Sequence, residues 1–239
     1  MQNSPNREKS PLAKRKRLVR LGILAILAAS LAIVFHRPLF FGNLGIVEPG
    51  RVFRSAQPGH AWESTIQSLK LKSVINLRGG SPWDEFYKRE VEVAGRSGVV
   101  FYDLPLSATK RPSRREMMLA IAVLDQCEYP VLIHCKWGSD RTGMLSALYR
   151  MQFRYEPPEA ALSSFSILHG HIPILGPEKL HEPFREYAAW LREKGLAHEP
   201  SRFRGWVETE YRAVDAFTAW PEIRSGPRVV AKSSSSIVR

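Results

Sequence analysis

The sequence predicts an α/β fold: a central, mostly parallel sheet flanked by helices, preceded by an N-terminal transmembrane helix. Three observations carry this. From about residue 45 to 224, short runs rich in Val, Ile and Leu alternate with amphipathic helical stretches, the pattern of a parallel sheet covered on both faces. Ahead of them, KRKRLVR leads into LGILAILAASLAIVF, an uncharged and almost wholly apolar run from Leu21 to Phe35. Finally, the strand VLIHC (131–135) passes through the polar loop KWGSD into a helix opening with Arg141, and ligands collect at such carboxyl ends of parallel strands.

The first segments set location and partners. Residues 1–17 form a basic arm, and residues 18–36 an anchor or signal. The formal net charge is +12, and half of it lies in the first twenty residues, where Arg7, Lys9, Lys14, Arg15, Lys16, Arg17 and Arg20 face only Glu8. A charge concentrated in an arm, with no zinc-finger or RNA-recognition pattern elsewhere, argues against a nucleic-acid partner. Leu18 and Val19 extend the apolar run to spanning length if Arg20 snorkels to the headgroups. Ala28, Ser30 and Ala32 leave a cleaved signal as the alternative. Either way the basic flank stays cytoplasmic and everything after Phe35 lies across the membrane. Two cysteines are too few for a disulfide framework, and Cys127 reads as a small buried apolar residue.

The folded domain spans 45–224. GIVEPGRVFRSAQP (45–58) reads as a hairpin, Ala61–Leu71 as a helix and LKSVINLRG (71–79) as a strand. Ser81, Pro82 and Asp84 carry the spacing of a capping box, and Trp83, Phe86, Tyr87, Val91 and Ala94 recur on one helical face, a core stripe. GVVFYDLPL (98–106) is a strand, followed by the basic loop 107–115. Arg115–Cys127 is a helix burying Met118, Leu119, Ala122 and Val123. Helices follow at 141–153, 157–168 and 178–194, with a further one at 206–219. HGH (169–171) reads as surface loop, without a third ligand for a metal. The Ser-rich segment 225–239 reads as a flexible tail.

The loop after Ile133 is the chemical centre. Gly138 allows backbone angles that other residues avoid, so the amides of Lys136, Trp137, Gly138, Ser139 and Asp140 can turn inward with the start of the Arg141 helix. The helix dipole and the planar fork of Arg141 suit a tetrahedral anion. The same field stabilises Cys135 as a thiolate, and Thr142 can donate its hydroxyl proton to the sulfur.

These residues resemble a known family. His134-Cys135, Gly138 and Arg141-Thr142-Gly143 match the H-C-x5-R-[ST] phosphate loop of cysteine-dependent protein tyrosine and dual-specificity phosphatases. FRSAQP (53–58), INLR (75–78) and DLPLSA (103–108) add similarity to the compact dual-specificity-like enzymes of bacteria. The resemblance covers about Gly45 to Tyr187 and implies a phosphatase domain at 45–224. It implies a phosphocysteine intermediate on Cys135, with phosphate held by Arg141 and the amides of residues 136–142. It implies no cofactor and no metal.

The pattern departs from the family at the acid. Relatives usually carry an Asp in the loop that here spans 107–115, which holds no carboxylate. Asp103 and Asp140 remain, and Asp140 is preferred because myotubularin-type relatives carry an acid there. The implied substrates are a phosphorylated protein, phosphotyrosine first, or an inositol phosphate or phosphoinositide. Lys110, Arg111, Arg114 and Arg115 are expected to overhang the pocket and favour polyanions. Trp137 is expected to wall a phenyl ring. A third reading, a phosphate-binding module without turnover, requires a damaged loop, which this is not.

Overall fold

The structure is a computed structural model that describes residues 11–213 and 228–231. One six-stranded mixed sheet runs in the order β1-β2-β5-β3-β4-β6. The strands are β1 (Gly45–Glu48), β2 (Val52–Ser55), β3 (Ser73–Asn76), β4 (Val100–Asp103), β5 (Val131–His134) and β6 (Arg228–Ala231). The inner four are mutually parallel, while β1 and β6 run antiparallel on the two edges. The parallel majority read from the sequence is therefore present. Residues 228–231, placed in the flexible tail by composition, instead pair with β4; residues 225–227 and 232–239 lie outside the described residues.

Strand alternation sorts the core into two layers. Val74, Phe101 and Leu132 point toward α2 (Trp62–Leu69) and α3 (Glu85–Arg96), packing with Trp62, Tyr87 and Val93. Ile75, Tyr102 and Ile133 point the other way, toward α4 (Arg114–Gln126) and α5 (Asp140–Phe153). The layer beyond α5 comes from α6 (Pro158–Ala161), α7 (Glu182–Lys194) and α8 (Pro200–Thr209), which bring in Phe184, Tyr187 and Phe203. A central helix between layers needs apolar residues all round, and ten of the fourteen residues of α5 are buried.

Several helix boundaries differ from expectation. Ser81 does not cap α3: its backbone N–H and hydroxyl both donate to Asp84 Oδ2, forming a turn one residue ahead of the helix. Trp83 falls in that turn and is 91% exposed, so it is no part of the core stripe. α4 is fixed by a true capping box, Ser113 with Glu116, worth ~1 kcal/mol. The box sets a buried face of Met117, Ala120, Ile121, Val123 and Leu124; of the four expected residues Val123 is on it, while Met118, Leu119 and Ala122 are half-buried beside it. The helix expected at 157–168 is broken into α6 and two 3-10 turns, and α8 starts six residues before the expected helix at 206–219. Residues 214–219 of that expectation lie outside the described residues.

At the N-terminus α1 spans Pro11–Phe40. Among the described residues no helix is long and apolar enough to cross a membrane. The side chains described within α1 include Arg15, Lys16, Arg17 and Arg20, whereas those of 33–35 lie outside the described set. The arm at 1–10 lies outside it too.

Candidate active site

The carboxyl ends of β5, β3 and β4 meet where the sequence places its phosphate loop. Strand register aligns His134, Asn76 and Asp103 in one row across these strands. Cys135 directly follows β5, turns to the opposite face from His134 and is 2% exposed.

The loop is shaped from behind. Lys136 O accepts from the Gln57 amide at 3.3 Å, and Trp137 O from Asn43 Nδ2 at 2.8 Å. Gly138 O and Ser139 O accept from Arg54 Nη2 at 2.8 and 3.3 Å. Because a planar peptide points its C=O and N–H in opposite directions, carbonyls fixed outward turn the following amides inward. The Gly138 N–H accordingly donates to Cys135 Sγ at 3.3 Å. Gly138 has φ +70°, and a Cβ there would lie 2.5 Å from the Ser55 carbonyl. Backbone conformation and space both demand glycine.

Arg54 is the residue on which this shape depends most, and no spacing rule singled it out. It is 3% exposed, and its Nη1 also donates to Ser164 O at 2.7 Å. Burial lowers its pKa to about 10, opposed by the charges of Cys135 and Asp140. At neutral pH it remains a buried cation beneath the loop. Its only legible signal was its place within FRSAQP (53–58), one of the motifs that carry the resemblance.

Arg141 is held by one nitrogen. Its Nη1 donates to Leu77 O (3.1 Å) and Leu106 O (3.2 Å), beyond the ends of β3 and β4. Its Nε is buried without a partner among the described residues, as is Thr142 Oγ1. A donor buried and unpaired costs free energy unless something fills it. The Nε edge of a guanidinium is the edge that grips two oxygens of a phosphate. Arg78 adds a second cation: burial and Arg141 both depress its pKa, and it stacks on Phe86, 3.4 Å from the ring centroid. Beneath the loop, His134 Nε2 lies 2.5 Å from Glu90 Oε1, close but off the hydrogen-bonding line, while Gln57 Nε2 donates to Glu90 Oε2.

The two candidate acids differ sharply in setting. Asp103 is 7% exposed and accepts from Asn76 Nδ2 (3.1 Å) and Tyr87 OH (3.0 Å). Asp140, at the first turn of α5, accepts at Oδ1 from His171 Nδ1, 2.7 Å away. Here the reading of HGH as surface loop is corrected: His171 is 3% exposed and bonded to Asp140, and His169 Nδ1 bonds Asn43 Oδ1 at 2.8 Å. No cluster able to hold a metal occurs among the described residues.

The basic loop is also corrected. Arg111 reaches Glu186 (2.5 Å), Glu182 (3.7 Å) and Tyr211 OH (3.1 Å), and Arg114 donates to Tyr211 O at 2.7 and 3.1 Å. These two tie the loop to the chain beyond α8 and do not overhang the pocket. Lys136 and Trp137 do sit at the rim: Trp137 is 61% exposed, with the Lys136 ammonium 5.3 Å from its ring centroid. Ser139 is buried.

A family model described as DSP-PTPase phosphatase fused to NAD+ kinase (PTP-NADK) matches residues 48–170. The chain belongs to this DSP-PTPase family. Among curated proteins, an Arabidopsis thaliana inositol diphosphatase, DSP4, is 34% identical over 115 residues, 45% of this chain and 54% of the relative. The dual specificity protein phosphatase TpbA of Pseudomonas aeruginosa is 30% identical over 122 residues, half of each chain. The chain thus spans about half the length of the curated relatives it matches. A crystal structure of P. aeruginosa TpbA overlays with a TM-score of 0.42 at 24% identity, covering 60% of this chain and 91% of the other.

Proposed function

We propose that the protein is a cysteine-dependent phosphomonoester phosphatase working through a phosphocysteine intermediate, with phosphotyrosine as its first substrate class. One observation carries this: the buried Cys135 shares its loop with a buried, unpaired Arg141 Nε and Thr142 Oγ1, and the carbonyls of residues 136–139 are pinned outward. Such a loop is complementary to an anion in shape and charge before any anion arrives.

In the first step Cys135 Sγ attacks phosphorus as the P–O bond to the leaving group breaks. Arg141 and the loop amides carry the charge on the equatorial oxygens. Asp140 gives its proton to the departing oxygen. In the second step water attacks the phosphocysteine, Asp140 takes a proton from that water, and the S–P bond breaks to restore the thiolate. Asp140 is preferred over Asp103 because Asp103 already accepts from two buried donors and ends β4, two strands from the β5 that carries the loop.

The rim supports phosphotyrosine. Trp137 offers an exposed aromatic wall, and two of the four cations expected to recognise polyanions are engaged elsewhere. The second reading, an inositol phosphate or phosphoinositide, is favoured by Lys136 at the rim and Arg78 beside Arg141. Relatives bear both kinds of name.

Membrane attachment through α1, with the domain beyond Phe35 outside the cytoplasm, belongs to the same proposal. Supporting it, Leu18, Leu24, Ile26 and Leu31 on α1 are each more than half exposed, so no described part of the chain covers them. Resistance of the full chain to alkaline extraction from membranes supports attachment; release into the wash refutes it.

The activity is tested with the full chain and Cys135→Ser on a phosphotyrosine peptide, a phosphoserine peptide and an inositol polyphosphate. Phosphate release greatest from phosphotyrosine and absent in the variant is the expected result. Release greatest from the inositol compound replaces the substrate class, and binding without release from any of them overturns catalysis.

A further inference from the structure

Asp140 does not end at His171. His171 Nε2 lies 2.8 Å from His181 Nε2, and His181 Nδ1 lies 3.3 Å from Arg185 Nη2. The row therefore runs from the exposed Arg185 on α7 inward to the catalytic loop. His171 and His181 are 3% and 7% exposed. Phe165 packs on both rings, with centroids 5.0 and 4.1 Å away. Gly143 on α5 leaves the room for Phe165, since a Cβ there would meet its ring at 3.1 Å.

Chemistry fixes the direction of every bond in the row. A guanidinium can only donate, so His181 Nδ1 must accept. A neutral His181 then carries its proton on Nε2 and donates to His171 Nε2. His171 is left with its proton on Nδ1, which donates to Asp140 Oδ1. Burial first, then His171 and Arg185, lower the His181 pKa to about 4, which keeps that ring neutral at physiological pH. Glu178 and Asp140 oppose this depression without reversing it.

We infer that His171, His181 and Arg185 form a hydrogen-bonded chain of fixed polarity that positions Asp140, occupying Oδ1 and leaving Oδ2 as the oxygen that gives and takes the proton. The inference rests on the phosphatase reading above. His171 touches neither substrate nor thiolate and is a positioning residue. It holds the plane of the carboxyl group in both protonation states, because Nδ1–H can donate to a carbonyl-like Oδ1 and to a carboxylate oxygen alike. The carboxylate formed when Oδ2 releases its proton to the leaving group thus keeps its place for the hydrolysis step. His181 fixes the tautomer of His171, in the way that a buried partner fixes the tautomer of a catalytic or metal-bound imidazole.

The test uses the full chain, with initial rates on p-nitrophenyl phosphate, whose leaving group needs little protonation, and on phenyl phosphate, whose leaving group needs more. His171→Leu is expected to slow phenyl phosphate ~10-fold more than p-nitrophenyl phosphate, a fraction of what a positioned acid contributes. His171→Asn, which can place an amide N–H near the position of Nδ1, is expected to recover most of that difference. In an Asp140→Asn background, His171→Leu is expected to add nothing to it. Equal slowing of both substrates by His171→Leu, or a full further loss in the double variant, overturns the inference. Ring-nitrogen NMR supplies a readout independent of turnover: Nδ1–H on His171 and Nε2–H on His181 are required, and the opposite tautomers overturn the chain. If the unaltered protein cleaves neither substrate, the phosphatase reading falls and takes this inference with it. If it cleaves both and Asp140→Asn shows no leaving-group bias, the inference and the acid role of Asp140 fall while the phosphatase reading stands.

Discussion

Two loops border the candidate active site, and their roles are opposite to their compositions. The loop at 107–115 carries Lys110, Arg111, Arg114 and Arg115 and looks like a polyanion sensor. The loop at 169–177 looks like filler between helices. In the structure Arg111 and Arg114 of the first are bonded to Glu182, Glu186 and Tyr211, whereas the second supplies the buried His171 to Asp140. Charge in a sequence announces what a side chain can do, and its partner in the fold decides which of those things it does. Long cations find a carboxylate or carbonyl wherever one is near. An imidazole becomes chemically informative only once burial and a neighbour fix its proton.

This contrast can be broken by exchange of the two candidate acids. Asp140→Asn is expected to slow phenyl phosphate by ~10²–10⁴, far more than p-nitrophenyl phosphate. Asp103→Asn is expected to leave the ratio of the two rates nearly constant and to lower the melting temperature, because an amide cannot accept from both Asn76 and Tyr87 as a carboxylate does. Parallel rates and thermal melts on both variants decide it, and the reverse pattern would make Asp103 the acid.

A smaller effect sharpens the basic loop. Arg114→Ala removes two hydrogen bonds from a charged donor to Tyr211 O, a loss of ~1.5–3 kcal/mol of stability, with kcat on a small aryl phosphate within about threefold of the parent. Denaturant titration reads the first number and steady-state kinetics the second. A large rise in KM for an inositol polyphosphate with unchanged stability would restore the loop to substrate recognition.

The smallest effect concerns acid. His181 is held below its ordinary value, so below about pH 6.5 the unfolded chain binds a proton that the folded chain refuses. Stability is therefore lost as the pH falls from about 6.5 toward about 4. His181→Gln should flatten that part of the melting-temperature profile relative to the parent. A profile of unchanged slope would mean that His181 titrates normally.

What the sequence disclosed follows from how local each signal is. The strand VLIH, the loop, and the helix behind it are contiguous, so Cys135, Gly138 and Arg141 could be read together. Alternation of apolar runs gave the parallel core, because sheet burial is written residue by residue. Arg54, Gln57 and Asn43 were hidden because they act on carbonyls 79 or more residues away, and no spacing encodes such a bond. His171 and His181 were hidden for a related reason: two histidines ten apart meet only after the 3-10 turn at 177–181 brings the chain back. The error at Trp83 arose within one turn, where Asp84 bonds Ser81 and delays the helix by three residues.

Asn43 is also a mechanical joint. Its amide donates to both Trp137 O in the loop after β5 and His169 O in the histidine-bearing loop, and it stands three residues past the end of α1 at Phe40. Three residues reach at most about 10 Å. With α1 seated in a bilayer as proposed, the pocket is on a leash of that length. It could not swing outward to survey distant partners, and its clientele would be whatever phosphorylated groups come to the membrane's surface.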